Sequence, residues 1–151
     1  MRPEDDFGLL LARTHRAMRS QFAGRLGMHG IRFEQYQALL ALSRGDGIAQ
    51  HVVAERLSLE PTYTGRMLRR ADKAGLITRP RDPADARVRN VRLTAKGRAL
   101  WETAERIRGR ALPEAMSCLT EQERGELKRL LNKLHDHVTR LDQTPAQTPP
   151  A

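Results

Sequence analysis

Residues 48–97 read IAQHVVAERLSLEPTYTGRMLRRADKAGLITRPRDPADARVRNVRLTAKG, and the apolar period changes within this stretch. Ala49, Val52, Val53 and Leu57 recur at three- and four-residue spacing, which predicts a short helix. Ser58-Leu59-Glu60 forms a tight turn. Pro61 suits the first turn of a second helix, where a backbone N–H has no intrahelical partner. Along that helix Thr64, Met67, Leu68 and Ala71 face inward, and Gly75 is placed to end it in a left-handed conformation. The period then becomes two. Leu76 to Pro80 is a short extended run, and Val91 and Leu93 alternate across Arg92. Helix, turn and helix are therefore followed by a two-stranded hairpin, 76–80 and 88–93, with a long polar tip.

A helix that lies in the DNA major groove needs one apolar face for docking and one polar, basic face for the duplex. The second helix supplies both. Thr62, Arg66, Arg69, Arg70 and Lys73 occupy its remaining surface, and Thr62 and Tyr63 sit in the first turn, the end that reaches bases. An arginine fork can bond guanine bidentately or clamp a phosphate. On an isolated helix such a face would read as ordinary solvated charge, and it is the hairpin that changes the reading. Its tip carries Arg81 and Arg87, with Arg89 just after, and a narrow minor groove attracts arginine. Asp82 and Asp85 are read as turn-formers that bond local backbone amides, and Asp85 is also expected to hold Arg87 in one pose.

Working outward, Phe7, Leu10, Leu11, Thr14, Met18 and Phe22 mark a first helix that ends near Gly27 and Gly30. Phe33, Tyr36, Leu39 and Leu40 mark a second, stopped by Gly45 and Gly47. After the hairpin, Thr94 stands where an N-cap belongs, before a helix carrying Leu100, Ala104, Ile107 and Ala111. Pro113 is expected to kink or break that helix near residue 112. Thr120-Glu121-Gln122-Glu123 reads as a capping box. The helix after it bears the seam Leu127, Leu130, Leu131, Leu134, Val138 and Leu141. The last ten residues, DQTPAQTPPA, have no apolar period and are expected to form a disordered tail.

With these elements in order, the stretch 48–97 resembles the winged-helix core of the MarR family. The match is carried by AERLSLEP, GLITR at 75–79, DPADAR at 82–87 and VRLTAKG at 91–97, and with the flanking helices it covers about residues 7–141. The resemblance implies a mostly α fold with a small β-hairpin wing: a winged helix-turn-helix in an α/β triangular homodimer. It implies a helical dimerisation region from 1–30 and 95–141, a DNA-binding lobe from 31–94 and a tail from 142–151. Arg87 matches the wing arginine, and Arg66 a frequent recognition-helix position. Gly65 and Ala71 depart from the usual polar residue and leucine, so one base contact is in doubt. The resemblance further implies a DNA-binding regulator, a repressor by expectation, that binds a pseudo-palindromic operator. A small aromatic or anionic effector would release it. His15, Met18, Tyr36 and Trp101 are the candidate lining of that effector cleft, although Tyr36 and Trp101 would also serve as core.

Composition agrees with an acidic partner. The 151 residues carry a net charge of +9, which suits a nucleic acid such as double-stranded DNA, and on charge alone equally an anionic membrane surface or an acidic protein. A non-specific architectural protein would share that charge without needing a directed recognition helix. The single cysteine, Cys118, precludes an intrachain disulfide and fits a reducing cytoplasm. It lacks adjacent Lys or Arg and is expected to be a buried, unreactive thiol. No apolar run approaches the roughly 20 residues that span a bilayer, so no membrane partner is expected. His135 and His137 point in different directions on a helix, and no other histidine has ligand spacing, so no metal or other cofactor is expected. No nucleotide-binding or nucleophile motif suggests an enzyme.

Overall fold

A computed structural model describes residues 6–143, with only the backbone at 142 and 143. The described residues form six helices and three short strands: α1 (Phe7–Gly27), α2 (Phe33–Leu42), β1 (Ile48–Ala49), α3 (Gln50–Leu57), α4 (Pro61–Lys73), β2 (Ile77–Thr78), β3 (Asn90–Leu93), α5 (Ala95–Ala115) and α6 (Glu121–Gln143). They fall into two compact units, divided between Ala111 and Leu112.

In the first unit, α2, α3 and α4 close over the sheet. Leu39, Leu42, Val53, Met67, Leu68, Leu76, Ile77 and Val91 are buried there together. Each large aliphatic side chain withdrawn from water in this way contributes about 1.5–3 kcal/mol. A second cluster gathers Leu26, Ile31, Tyr36 and Ala104, with Phe22, Phe33, Trp101 and Ile107 packed against it. The N-terminal two-thirds of α1 is exposed among the described residues, Phe7, Leu10, Leu11 and Met18 included.

The sheet is larger than the expected hairpin. Its order is β1-β3-β2, antiparallel throughout, with Ile48 opposite Val91 and Ile77 opposite Leu93. Ala49 was expected in α3 but pairs with Asn90 in β1. Two residues are too few to display an alternating pattern. β3 stands in the middle, its first half (Asn90, Val91) paired with β1 and its second half (Arg92, Leu93) with β2.

The joint from β3 into α5 explains the spacing of VRLTAKG. The Thr94 hydroxyl accepts a bond from the Gly97 N–H at 3.0 Å and donates to the Gly75 carbonyl at 2.7 Å. It therefore caps α5 and ties it to the end of α4. A side chain on Gly97 would run into the Leu76 carbonyl, so the close approach admits glycine alone. Lys96 Nζ donates to the Ala74 carbonyl at 2.9 Å and fastens the same joint.

The second unit holds the end of α5 and all of α6. Pro113 does not break α5, which runs on to Ala115. A proline this close to the C-terminus removes one backbone bond, and only a fraction of a turn follows it. Thr120 and Glu123 form the predicted capping box: Thr120 N–H donates to Glu123 Oε2 at 2.7 Å, and Glu123 N–H donates to Thr120 Oγ1 at 3.3 Å. The Thr120 amide, and after it the Thr120 hydroxyl that donates to Glu123 Oε2 at 2.9 Å, hold the Glu123 carboxyl below its ordinary pKa. Leu127, Leu130, Leu131, Leu134, Val138 and Leu141 are 37–58% exposed. Cys118 is exposed in the turn between α5 and α6, against the expectation of a buried thiol. In that turn Met116 and Leu119 are the half-buried side chains, while Ser117 and Cys118 point to solvent. Asp142 and Gln143 continue α6 into the stretch expected to be tail, and 144–151 lie outside the described residues. Among the described residues, no helix is long and apolar enough to cross a membrane.

Candidate nucleic-acid interface

The interface is built on α4, and its start is fixed by a residue that sequence reasoning placed only in a turn. Ser58 takes a left-handed conformation, φ 50°, which stops α3 and turns the chain. Glu60 then caps α4. Its Oε1 accepts from Thr62 N–H at 2.9 Å and its Oε2 from Tyr63 N–H at 2.8 Å. Chiefly because of these two amides, the Glu60 carboxyl titrates below its ordinary value. A carboxylate immediately before a proline at the first helical position was the available signal for this cap.

Capped in this way, α4 divides by face as its period requires. Thr64, Gly65, Met67, Leu68 and Ala71 are buried, whereas Thr62, Arg66, Arg69, Arg70 and Lys73 are exposed. Tyr63 is half-buried, with its ring against the core and its hydroxyl 3.5 Å from Gln37 Oε1, too long for a strong bond. Arg70 forms an ion pair with Glu34 of α2 at 2.9 Å. The other cations of the face are Arg66, Arg69 and Lys73.

The wing tip is held by its two aspartates. Asp82 Oδ1 accepts from the Ala84 and Asp85 amides at 2.7 and 3.3 Å, and Oδ2 accepts from Asn90 Nδ2 at 2.7 Å. The bond from Asn90, followed by those amides, keeps the Asp82 carboxyl below its ordinary pKa. Asp85 Oδ1 accepts from the Arg87 backbone N–H at 2.9 Å. The expected hold of Asp85 on Arg87 thus acts through the main chain, and the Arg87 side chain is exposed. Arg81 and Arg89 face each other across an antiparallel bridge, both exposed. Arg89 Nη1 donates to the Arg79 carbonyl at 3.3 Å. Arg79 Nη2 in turn donates to Gln50 Oε1 at 2.6 Å, joining the wing to the start of α3. That link joins residues 29 apart in sequence and left no local signal.

Of the four residues expected to line an effector cleft, two come together. The rings of Tyr36 and Trp101 stack with centroids 5.9 Å apart, and Phe22 meets Tyr36 edge-on at 4.9 Å. Tyr36 is buried, which is the main reason its hydroxyl pKa is raised; the Arg108 charge opposes that rise. His15 and Met18 are exposed on α1, and nothing in the described packing joins them to the aromatic pair. Among the described residues, no group of three or more His, Cys, Asp or Glu side chains could hold a metal ion.

A MarR family profile matches residues 29–88. The HTH-type transcriptional repressor Rv2887 of Mycobacterium tuberculosis is 31% identical over 127 residues, 84% of this chain and 91% of the relative. The organic hydroperoxide resistance transcriptional regulator of Bacillus subtilis is 32% identical over 143 residues, 95% of this chain and 94% of its own. Among solved structures, a mutant Escherichia coli MarR complexed with operator DNA superposes with a TM-score of 0.79 at 26% identity, covering 84% of this chain and 91% of that one. Rv2887 in complex with salicylic acid superposes with a TM-score of 0.68 at 31% identity, covering 87% of this chain and 98% of that one.

Proposed function

Since the chain belongs to the MarR family of transcriptional regulators, we propose that it is a repressor that binds a pseudo-palindromic operator in double-stranded DNA as a homodimer. The observation that carries this reading is the pairing of a capped helix, basic on its exposed face, with a braced hairpin whose tip presents Arg87. Thr62, Tyr63 and Arg66 read base edges in the major groove, and Arg69 and Lys73 bond phosphates beside them. Arg70, drawn to Glu34, supports the helix. Arg87 enters the adjacent minor groove, with Arg81 and Arg89 along its edge. Two-fold pairing is supported by the exposed apolar residues of α1 and α6, which a single chain leaves in water.

An effector of small aromatic or anionic character is part of the same proposal. The stacked Tyr36 and Trp101 offer the aromatic surface for it, and a ligand that favours one spacing of the two DNA-binding lobes would shift the population away from the bound form. Rv2887, which has been crystallised with salicylic acid, is the relative that motivates the ligand class.

The test is a specificity ratio at fixed salt. Non-specific binding consists of phosphate contacts alone, whereas a regulator of this kind exceeds it by about 10³-fold or more. A ratio near one, for a duplex selected by the protein against random duplex, would leave only a non-specific binder.

A further inference from the structure

Between the N-terminal ends of α3 and α4 on one side and the wing on the other lies a notch of about 410 Å³, lined by Gln50, His51, Pro61, Arg79, Arg87 and Arg89. Its position matters because of the shape of the duplex. One sugar-phosphate strand separates a major groove from the neighbouring minor groove. If α4 occupies the first and the wing tip the second, that strand must cross the surface between them. The notch is that surface.

Its lining is rich in cations. Arg79, Arg87 and Arg89 are among its lining residues. Arg79 is held at its base: Nη2 is bonded to Gln50 Oε1 at 2.6 Å, and the Arg79 carbonyl accepts from Arg89 at 3.3 Å. Arg79 Nε is buried without a hydrogen-bond partner, and such an atom is costly unless something bonds it. Burial first, and the Arg89 charge next, disfavour the Arg79 cation, with Asp72 in partial opposition. Gln50 is placed by α4 as well. A Cβ added at Gly65 would come within 3.3 Å of Gln50 Nε2, so the missing side chain leaves room for that amide against the recognition helix.

We propose that this notch binds one phosphodiester of the strand separating the two grooves, with Arg79 as its donor and Gln50 as the residue that positions Arg79. This rests on the DNA-binding reading above. The contact fixes the distance between the base-reading helix and the wing, so it sets register without reading sequence.

The test pairs a selected operator with copies carrying a single neutral methylphosphonate linkage in each half-site, scanned across the strand between the two contacts. For the wild-type dimer one such linkage costs about tenfold in affinity, the scale of a lost charge-assisted bond. Arg79→Gln binds the unmodified operator about tenfold more weakly, keeps the base preference, lowers the salt slope by about one and becomes indifferent to that linkage. Gln50→Glu guards against simple misfolding. It gives Arg79 a carboxylate partner, so thermal stability is kept while the new charge repels phosphate and binding falls. Equal sensitivity of wild type and Arg79→Gln to every linkage in the stretch would overturn the phosphate site and leave the DNA reading intact. A wild-type protein with no preference for any duplex would overturn both.

Discussion

Gly97 is where a single atom decides whether the wing meets α5. Any side chain there overlaps the Leu76 carbonyl, which is main chain and cannot swing aside, and that same carbonyl also accepts from Thr94. Gly97→Ala is therefore expected to cost about 3 kcal/mol, the upper range for forcing bulk into a packed site. Chemical denaturation would measure it, and an unchanged midpoint would mean that the joint gives way freely. The sequence marked Gly97 only as part of a family-like run; the reason lies in a neighbour 21 residues earlier. Thr94 was legible at once, because a hydroxyl three residues before the Gly97 amide is a local cap. Cys118 was misread because its burial depends on what folds over it, and its own neighbours do not reveal that.

At the scale of elements, the cap of α4 makes a pH prediction. The Glu60 carboxyl titrates below its ordinary 4.5 in the fold because two amides bond its charged form. Its contribution is thus complete above 4.5 and is lost as pH falls through the lower folded value. Acid should loosen the start of the recognition helix, and Glu60→Gln, which cannot titrate, should flatten that part of the stability profile. Identical acid profiles in thermal unfolding would count against the cap. The wing makes a second prediction. Arg87→Lys should retain part of the operator affinity, and Arg87→Ala should lose roughly tenfold. The loss should be greater on A·T-rich flanks, where the groove is narrow. Asp85→Ala should weaken binding as well, because it frees the Arg87 amide, although it also removes a charge that repels phosphate. Equal losses on A·T-rich and G·C-rich flanks would make Arg87 a plain phosphate contact, and tighter binding by Asp85→Ala would deny the turn its role. These elements were largely readable in advance, since three- and two-residue periods separate α4 from β3. β1 was not, because two residues show no period and only pairing with β3 makes them a strand.

At the scale of the molecule, the proposed dimer would cover the exposed apolar residues of α1 and α6. Replacing Leu130 and Leu134 together with Glu should yield a monomer and abolish operator binding, since two recognition helices must act at one spacing. Sedimentation of the wild type as a stable monomer at micromolar concentration would defeat this.

The most direct test of the whole account is selection of bound duplexes from random DNA. A dimer that places two α4 helices in successive major grooves should enrich two inverted half-sites about 10 base pairs apart, centre to centre. A·T-rich flanks should lie under the wings, and Arg66→Ala should relax one base pair in each half-site. Enrichment of a single unrepeated half-site, or no enrichment above random sequence, would contradict it.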